Sequence, residues 1–208
     1  MLARIWRYPV KSLRGEALPD ALLDVEGLEG DRTRALVVRE GHARLGKTYR
    51  GKEDERLHLT SDASHAIEAA HTRGVRVELL DDEARYFDDA PVSLIIDRWL
   101  DGLSRHVGFA VEPERFRPNL FVESAPTMSL REDDLTGREL ALGDEVRIRV
   151  RYPIERCVTT TYDQQTGESN PEVLRYVAQA RATWMGVYCD VLRAGTVRVG
   201  DSLGLVER

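Results

Sequence analysis

The chain has 208 residues, 42% apolar and 32% charged, with two cysteines and a formal charge of −6 from 30 Lys and Arg against 36 Asp and Glu. That length fits one compact domain or two small ones sharing a core, and the apolar content argues against a disordered chain. The acidic balance disfavours nucleic acid, and two cysteines cannot build a disulfide framework, a four-cysteine iron–sulfur cluster or a cysteine-rich zinc site.

Short strand-like runs dominate, broken by glycine and charged turns. Leu2 to Val10 reads as an edge strand closed by Pro9. Leu18 to Val25 follows, punctuated by Gly27 and Gly30. Ala35 to Val38 is another short strand, and Lys47 to Arg56 reads as an exposed charged loop. Ser61 can cap a helix that carries Ala63, Ile67 and Ala70 and stops near Gly74. Val75 to Leu80 returns as a strand. Ser93 to Val107 reads as a second helix, with Ile95, Ile96, Trp99, Leu100 and Leu103 in one wide apolar stripe. Glu123 to Asp134 is a second loop, of the kind that carries function when a rigid scaffold holds it. Glu145 to Arg151 alternates strictly, with Val146, Ile148 and Val150 on one face. Asn170-Pro171 opens a third helix carrying Leu174, Val177 and Ala178. Trp184 to Leu192 is a strand that Ala194-Gly195 turns into Thr196 to Val199 as a hairpin. Leu142-Gly143-Asp144-Glu145-Val146 faintly echoes Val199-Gly200-Asp201-Ser202-Leu203, a Gly-Asp turn leading into a strand in each. No Gly-rich βαβ unit occurs, which argues against a Rossmann domain. No run of about 18 apolar residues could cross a membrane. The start Met1-Leu2-Ala3-Arg4-Ile5-Trp6 lacks a secretory apolar stretch. The expected compartment is a reducing cytoplasm.

Cys157 is the first candidate for chemistry. It sits in Arg156-Cys157-Val158-Thr159-Thr160-Thr161-Tyr162-Asp163, with few apolar neighbours. A half-buried thiol in a Thr-rich strand is one reading; a nucleophile, sulfur carrier or metal ligand is the other. The second needs nearby positive charge. Arg156 would point to the opposite face of a strand, so the charge must come from elsewhere. Lys11-Ser12 after the first strand, Arg32 after the Gly30 turn, and Arg115-Phe116-Arg117-Pro118-Asn119 offer an ammonium, guanidiniums, a hydroxyl and an amide. Together these suit a phosphate.

The set Tyr8-Pro9-Val10-Lys11-Ser12, Gly30-Asp31-Arg32, Arg115 to Asn119, Glu132-Asp133-Asp134, Leu142-Gly143-Asp144, Cys157 to Asp163, Gly186-Val187 and Gly195 to Asp201 resembles a molybdenum-cofactor sulfurase C-terminal (MOSC) domain protein with its N-terminal β-barrel segment. The resemblance covers essentially the whole chain and implies a mainly β (α+β) fold with a MOSC-type barrel and a few peripheral helices. The implied organisation is an N-terminal segment at 1–88 and a MOSC domain at 89–208, forming one compact unit. It also implies a molybdopterin-type molybdenum cofactor. By likeness to amidoxime-reducing members, Cys157 ligates molybdenum, a soft thiolate on such a metal. Lys11, Ser12 and Arg32 hold the phosphate. Arg117 and Asn119 contact the cofactor or its surroundings, and Thr160 joins the cofactor-binding set. Asp163 lies near the open metal positions, orienting substrate or delivering protons. The sequence departs from the family at Ser93 to Trp99, where hydroxyl residues are common, and at Leu135, Tyr162, Gln164 and Met185.

Other residues read as ordinary structure. Cys189 shares a face with Val187 and Val191 as a core thiol. His42, His58, His65, His71 and His106 show no ligand pattern. Trp6 and Trp99 read as packing residues, Lys47 as a solvated or cofactor-side cation, and Glu53-Asp54-Glu55 and Asp88-Asp89 as solvated surface. Three functions follow. The first is a molybdenum oxidoreductase that reduces N-hydroxylated small molecules such as amidoximes or hydroxylaminopurines. Lacking flavin, nicotinamide and cluster signatures, it takes electrons from a separate reductase or ferredoxin-like partner. The second is a persulfide or cofactor carrier working through Cys157, with no room for a pyridoxal-dependent desulfurase domain. The third is a barrel without cofactor.

Overall fold

The computed structural model describes residues 1–82 and 84–206. Along the chain run β1 (Leu2–Arg7), β2 (Glu16–Leu18), β3 (Asp20–Asp24), β4 (Gly27–Leu28), β5 (Ala35–Glu40), α1 (Ala63–Thr72), β6 (Arg76–Leu80), β7 (Val92–Ile96), α2 (Asp97–Val107), β8 (Leu120–Val122), β9 (Glu139–Leu142), β10 (Val146–Glu155), α3 (Pro171–Ala180), β11 (Trp184–Arg193), β12 (Gly195–Arg198) and β13 (Leu203–Leu205). Short one-turn 3-10 segments fill several of the gaps. The fold is mainly β, as the sequence leads one to expect.

Three sheets form: an eight-stranded one of order β13-β9-β10-β11-β7-β8-β1-β2, a three-stranded one of order β12-β3-β4, and the β5–β6 pair. In the large sheet β7 and β8 run parallel and the other neighbours antiparallel. Residues 1–88 and 89–208 interleave, since β1 and β2 complete the large sheet and β12 pairs with β3. The alternation in β10 turns Val146, Ile148 and Val150 fully inward. The two Gly-Asp turns that echo each other lie side by side, because β13 pairs with β9 and Gly143 N–H donates to Ser202 O at 2.9 Å.

Two apolar clusters hold the sheets. The larger joins the eight-stranded sheet to Trp99, Leu100 and Leu103 of α2 and to Val173 and Val177 of α3. The smaller gathers Leu36 and Val38 of β5, Val77 of β6, and Ala66 and Ala70 of α1 around Leu13, Tyr49 and Leu57.

Several expectations need correction. β1 is an interior strand, flanked by β8 and β2, and the three-residue β2 is the edge. Pro19 splits the run from Leu18 to Val25, passing the chain from one sheet to another. The cap of α1 is Asp62, whose carboxylate accepts the Ser64 N–H at 2.7 Å. Ile95 and Ile96 belong to β7, not to a helix. Buried on both faces, the run Val92-Ser93-Leu94-Ile95-Ile96 gives no period to distinguish strand from helix. In α3, Val173 joins Val177 inside, while Ala178 is exposed. The Trp184 strand and the Thr196 strand are not a hairpin: the chain bends at Ala194 and β12 pairs with β3 instead. A Cβ at Gly195 would stand 2.6 Å from Glu145 Cβ, so the bend needs glycine. Neither charged loop is wholly solvated, because Asp54 and Glu132 are buried. Among the described residues no helix is long and apolar enough to cross a membrane.

Glu132 pins the second loop. Arg181 Nη2 donates to both its carboxylate oxygens at 2.6 Å, and Gly186 N–H approaches at 3.4 Å. Removing the carboxylate strands a largely buried guanidinium. Glu132→Ala is therefore expected to lower the unfolding free energy by about 3 kcal/mol in urea denaturation. An unchanged midpoint would mean that Arg181 finds another partner.

Candidate functional site

A cleft opens along the seam of the two apolar clusters. Its walls come from Lys11, Ser12, Arg32, Arg50 to Lys52 and His58 on one side. On the other are Asp88, Ser93, Arg115 to Arg117, Ile154 to Cys157, Thr159, Thr160, Tyr162, Gln164 and Tyr188. Seven Lys or Arg residues face two carboxylates, Asp88 and Glu155. An acidic chain has thus concentrated its cations in one place, which is how a protein attracts an anion against its own net charge.

At one end the cations are stacked. The Tyr8 ring carries the Arg32 guanidinium at 4.7 Å and the Arg117 guanidinium at 4.3 Å. Arg32 pairs with buried Asp31 and donates to Arg117 O at 3.2 Å. Arg117 Nη2 donates to Leu13 O at 2.6 Å, while its buried Nη1 has no partner. Burial pulls the Arg117 guanidinium down to about 10, so it stays charged at neutral pH. Burial pushes the Tyr8 phenol up, and its hydroxyl donates to Pro118 O at 3.2 Å. Lys11 Nζ lies 2.5 Å from Asp88 Oδ1 at the cleft's mouth. Ser12, Arg32 and Arg117 all have left-handed backbone, with φ of 73°, 49° and 54°. Side chains rarely tolerate that conformation, and it clusters where function over-determines the backbone.

The thiol sits further along the cleft. Cys157 follows β10 and opens a single 3-10 turn, Val158–Thr161. It is half-buried, with Sγ 3.2 Å from Thr159 Oγ1. Arg156 has left the strand and lines the same cleft as Cys157, against the expectation that it points away. Its guanidinium donates to Met185 O and Phe116 O, and burial brings it down to about 10. Gly186 makes room, since a Cβ there would stand 3.1 Å from Arg156 Nη2.

The cleft brings together Lys11, Ser12, Arg32, Arg117, Cys157 and Thr160 of the residues singled out in the sequence. Thr160 lines it with its hydroxyl engaged, donating to Cys157 O at 2.9 Å. Asn119 lies behind the wall. Its Oδ1 accepts from Ser93 N–H and Oγ at 3.1 and 3.0 Å, and its Nδ2 donates to Trp6 O. The Asp163 carboxylate is placed on a neighbouring cavity, away from the thiol's cleft. It accepts from Arg115 at 3.0 Å and from the N–H groups of Gln165 and Thr166 at 2.9 Å. Those hydrogen bonds hold it below the usual carboxylate range. Sequence reasoning missed Arg50, His58, Asp88 and Tyr188. His58 Nε2–H donates to Asp163 O at 2.7 Å, and the ring stacks on Tyr162. No local pattern marks a lone histidine whose partner is a backbone carbonyl a hundred residues away. Lys47 is exposed and stands outside the cleft.

The family model described as the MOSC domain matches residues 81–204, and the one described as the MOSC N-terminal beta barrel domain matches residues 1–101. No curated protein matches. Among solved structures, the YuaD protein from Bacillus subtilis is similar at 17% identity and TM-score 0.56, covering 98% of this chain and 94% of that one. YiiM from Geobacillus stearothermophilus is 22% identical at TM-score 0.46, over 58% of this chain and 56% of that one. YiiM from Escherichia coli is 14% identical at TM-score 0.47, over 100% of this chain and 71% of that one.

Burial lowers the pKa of His58 below its ordinary value near 6.5. As pH falls, the unfolded chain therefore takes the proton first. The stability held in neutral His58 is complete above about 6.5 and is lost as pH drops toward the lower folded value. The melting temperature is expected to fall as pH drops below about 6.5, and His58→Gln to flatten that part of the profile. Equal slopes in the two proteins would assign the effect to other groups.

Proposed function

The chain belongs to the MOSC domain family, which is associated with the molybdenum cofactor, and from that premise we propose that the cleft holds a molybdopterin-type cofactor. The protein then reduces N-hydroxylated small molecules, such as amidoximes or hydroxylaminopurines, with electrons from a separate partner. The observation that carries the reading is the pairing, in one cleft, of a cationic cradle containing an unpartnered buried donor with a thiol. Arg117 Nη1 is a buried donor with no acceptor, and a phosphate oxygen would satisfy it. Among the described residues no three His, Cys, Asp or Glu side chains gather as a metal cage. A metal held through Cys157 would therefore take its other ligands from a cofactor, and a thiolate is a soft ligand suited to it.

In this reading Lys11, Ser12, Arg32 and Arg117 hold the phosphate, and Asn119 fixes Ser93 and the strand end beside Arg32. Cys157 Sγ is the metal ligand, with the Thr159 hydroxyl free to donate to it. Thr160 secures the turn that aims Cys157 by bonding its carbonyl. The Asp163 carbonyl keeps the single proton of neutral His58 on Nε2. When bound, the cofactor supplies the two-electron chemistry by which N–OH, two electrons and two protons become N–H and water. The chain carries no flavin or nicotinamide fingerprint and only two cysteines, so the electrons come from a reductase or ferredoxin-like protein.

Elemental analysis of protein from a cofactor-sufficient host tests the reading. Near-stoichiometric molybdenum is expected in the wild type and at least a tenfold loss in Cys157→Ala. Metal absent from both would sink the enzyme reading. A ~32 Da adduct on Cys157 would then favour the persulfide carrier. The loaded protein is expected to reduce benzamidoxime with an artificial donor and not with NADH alone; turnover with NADH alone would remove the separate partner.

A further inference from the structure

We propose that the turn Arg50–Lys52 is a second anion-binding element, at the thiol end of the cleft, and that it selects N-hydroxylated substrates bearing a carboxylate or phosphate. The proposal rests on the function just given, and deepens it by naming the substrate class.

The turn is rigid before any ligand arrives. Arg50 N–H donates to Glu53 Oε2 at 3.0 Å, and the N–H groups of Glu53 and Asp54 return to Arg50 O at 2.8 and 3.0 Å. Asp54 is buried and anchored to Arg73 at 3.1 Å. The turn also lies against the thiol's own support. A Cβ at Gly51 would meet Thr159 Cγ2 at 2.9 Å, while Thr159 Oγ1 stands 3.2 Å from Cys157 Sγ. One threonine side chain therefore separates the turn from the sulfur.

The charge on the turn is only partly neutralised. Arg50 Nε is buried and has no hydrogen-bond partner. Its nearest carboxylate, Glu53, stands 3.9 Å away and is already shared with the Arg50 N–H and with Arg44. Lys52 has no ion pair among the described residues. A phosphate in the cradle of Lys11, Arg32 and Arg117 would leave both charges over. Both line the same cleft as Cys157, and an anion on the far end of a substrate there gives Arg50 the acceptor it lacks. That anion takes no part in the reaction, so the bond that breaks is still N–O.

The matched pair 4-carboxybenzamidoxime and benzamidoxime is the probe, with binding read by calorimetry on the metal-loaded protein and turnover read separately. The wild type is expected to bind the carboxylate at least about tenfold more tightly than the neutral compound. Arg50→Gln abolishes that preference, Arg50→Lys keeps most of it, and Lys52→Gln reduces it, all with unchanged melting temperature and molybdenum content. In kinetics the effect falls on KM and leaves kcat. Equal affinity of the wild type for both compounds overturns the proposal even if both are reduced. Selective binding with reduction of neither compound leaves the anion element standing and overturns the oxidoreductase reading instead. If the extracted cofactor carries a nucleotide and Arg50→Gln releases it, the anion belongs to the cofactor and the substrate assignment is overturned.

Discussion

One phenol ring makes the cleft possible. Two like-charged guanidiniums, those of Arg32 and Arg117, would repel each other if buried side by side, and burying either alone is costly. Tyr8 gives each a π face, Asp31 pairs with one, and the carbonyls of Leu13 and Arg117 accept from both. The balance is uneven. Burial weakens the hold of Arg32 on its proton, but Asp31 together with Tyr8 and Asp88 outweighs it, whereas Arg117, held by a carbonyl and the ring, gives up part of its hold on the proton. The positive potential is set by the fold and needs no rearrangement when an anion arrives.

The backbone around that ring is held against its preferences. Left-handed conformations at Ser12, Arg32 and Arg117 cost about 1–3 kcal/mol each and persist only where the surroundings fix them. They are fixed on both sides of the seam. Arg32 N–H donates to Tyr8 O at 2.7 Å, Lys11 N–H to Arg34 O at 2.8 Å, and Arg117 N–H to Glu114 O at 2.9 Å. Strain and electrostatics thus converge on Arg32 and Arg117, and the apolar clusters on either side supply the rigidity that both require.

What the sequence made legible is what depends on neighbours in the chain. The alternation of Val146, Ile148 and Val150 and the Asn170-Pro171 helix start are local signals, and both appear in the fold. Lys11, Ser12, Arg32 and Arg117 stand in short dense motifs, so they could be singled out without knowing that the fold gathers them on one cleft. What was hidden depends on distant partners. Ile95 and Ile96 look helical beside Trp99 until β8 and β11 enclose them. Glu132 and Asp54 look solvated until Arg181 and Arg73 bury them. Asp163 resembles a reactive carboxylate, yet its oxygens are taken by Arg115 and two backbone N–H groups. His58 could not stand out, because its partner is a carbonyl, which every residue has.

The pairing of β12 with β3 has a consequence in time. Residues 195–198 form a ladder with residues 20–23, and the large sheet likewise sets β1 beside β8. Closing such distant contacts is entropically expensive and comes late in folding. During synthesis β3 can pair with β4 at once, but its other edge stays open until residues 195–198 have left the ribosome. For that interval a strand bearing Leu22 and Leu23 presents unpaired backbone to other nascent chains, a hazard that exists only before the native state forms.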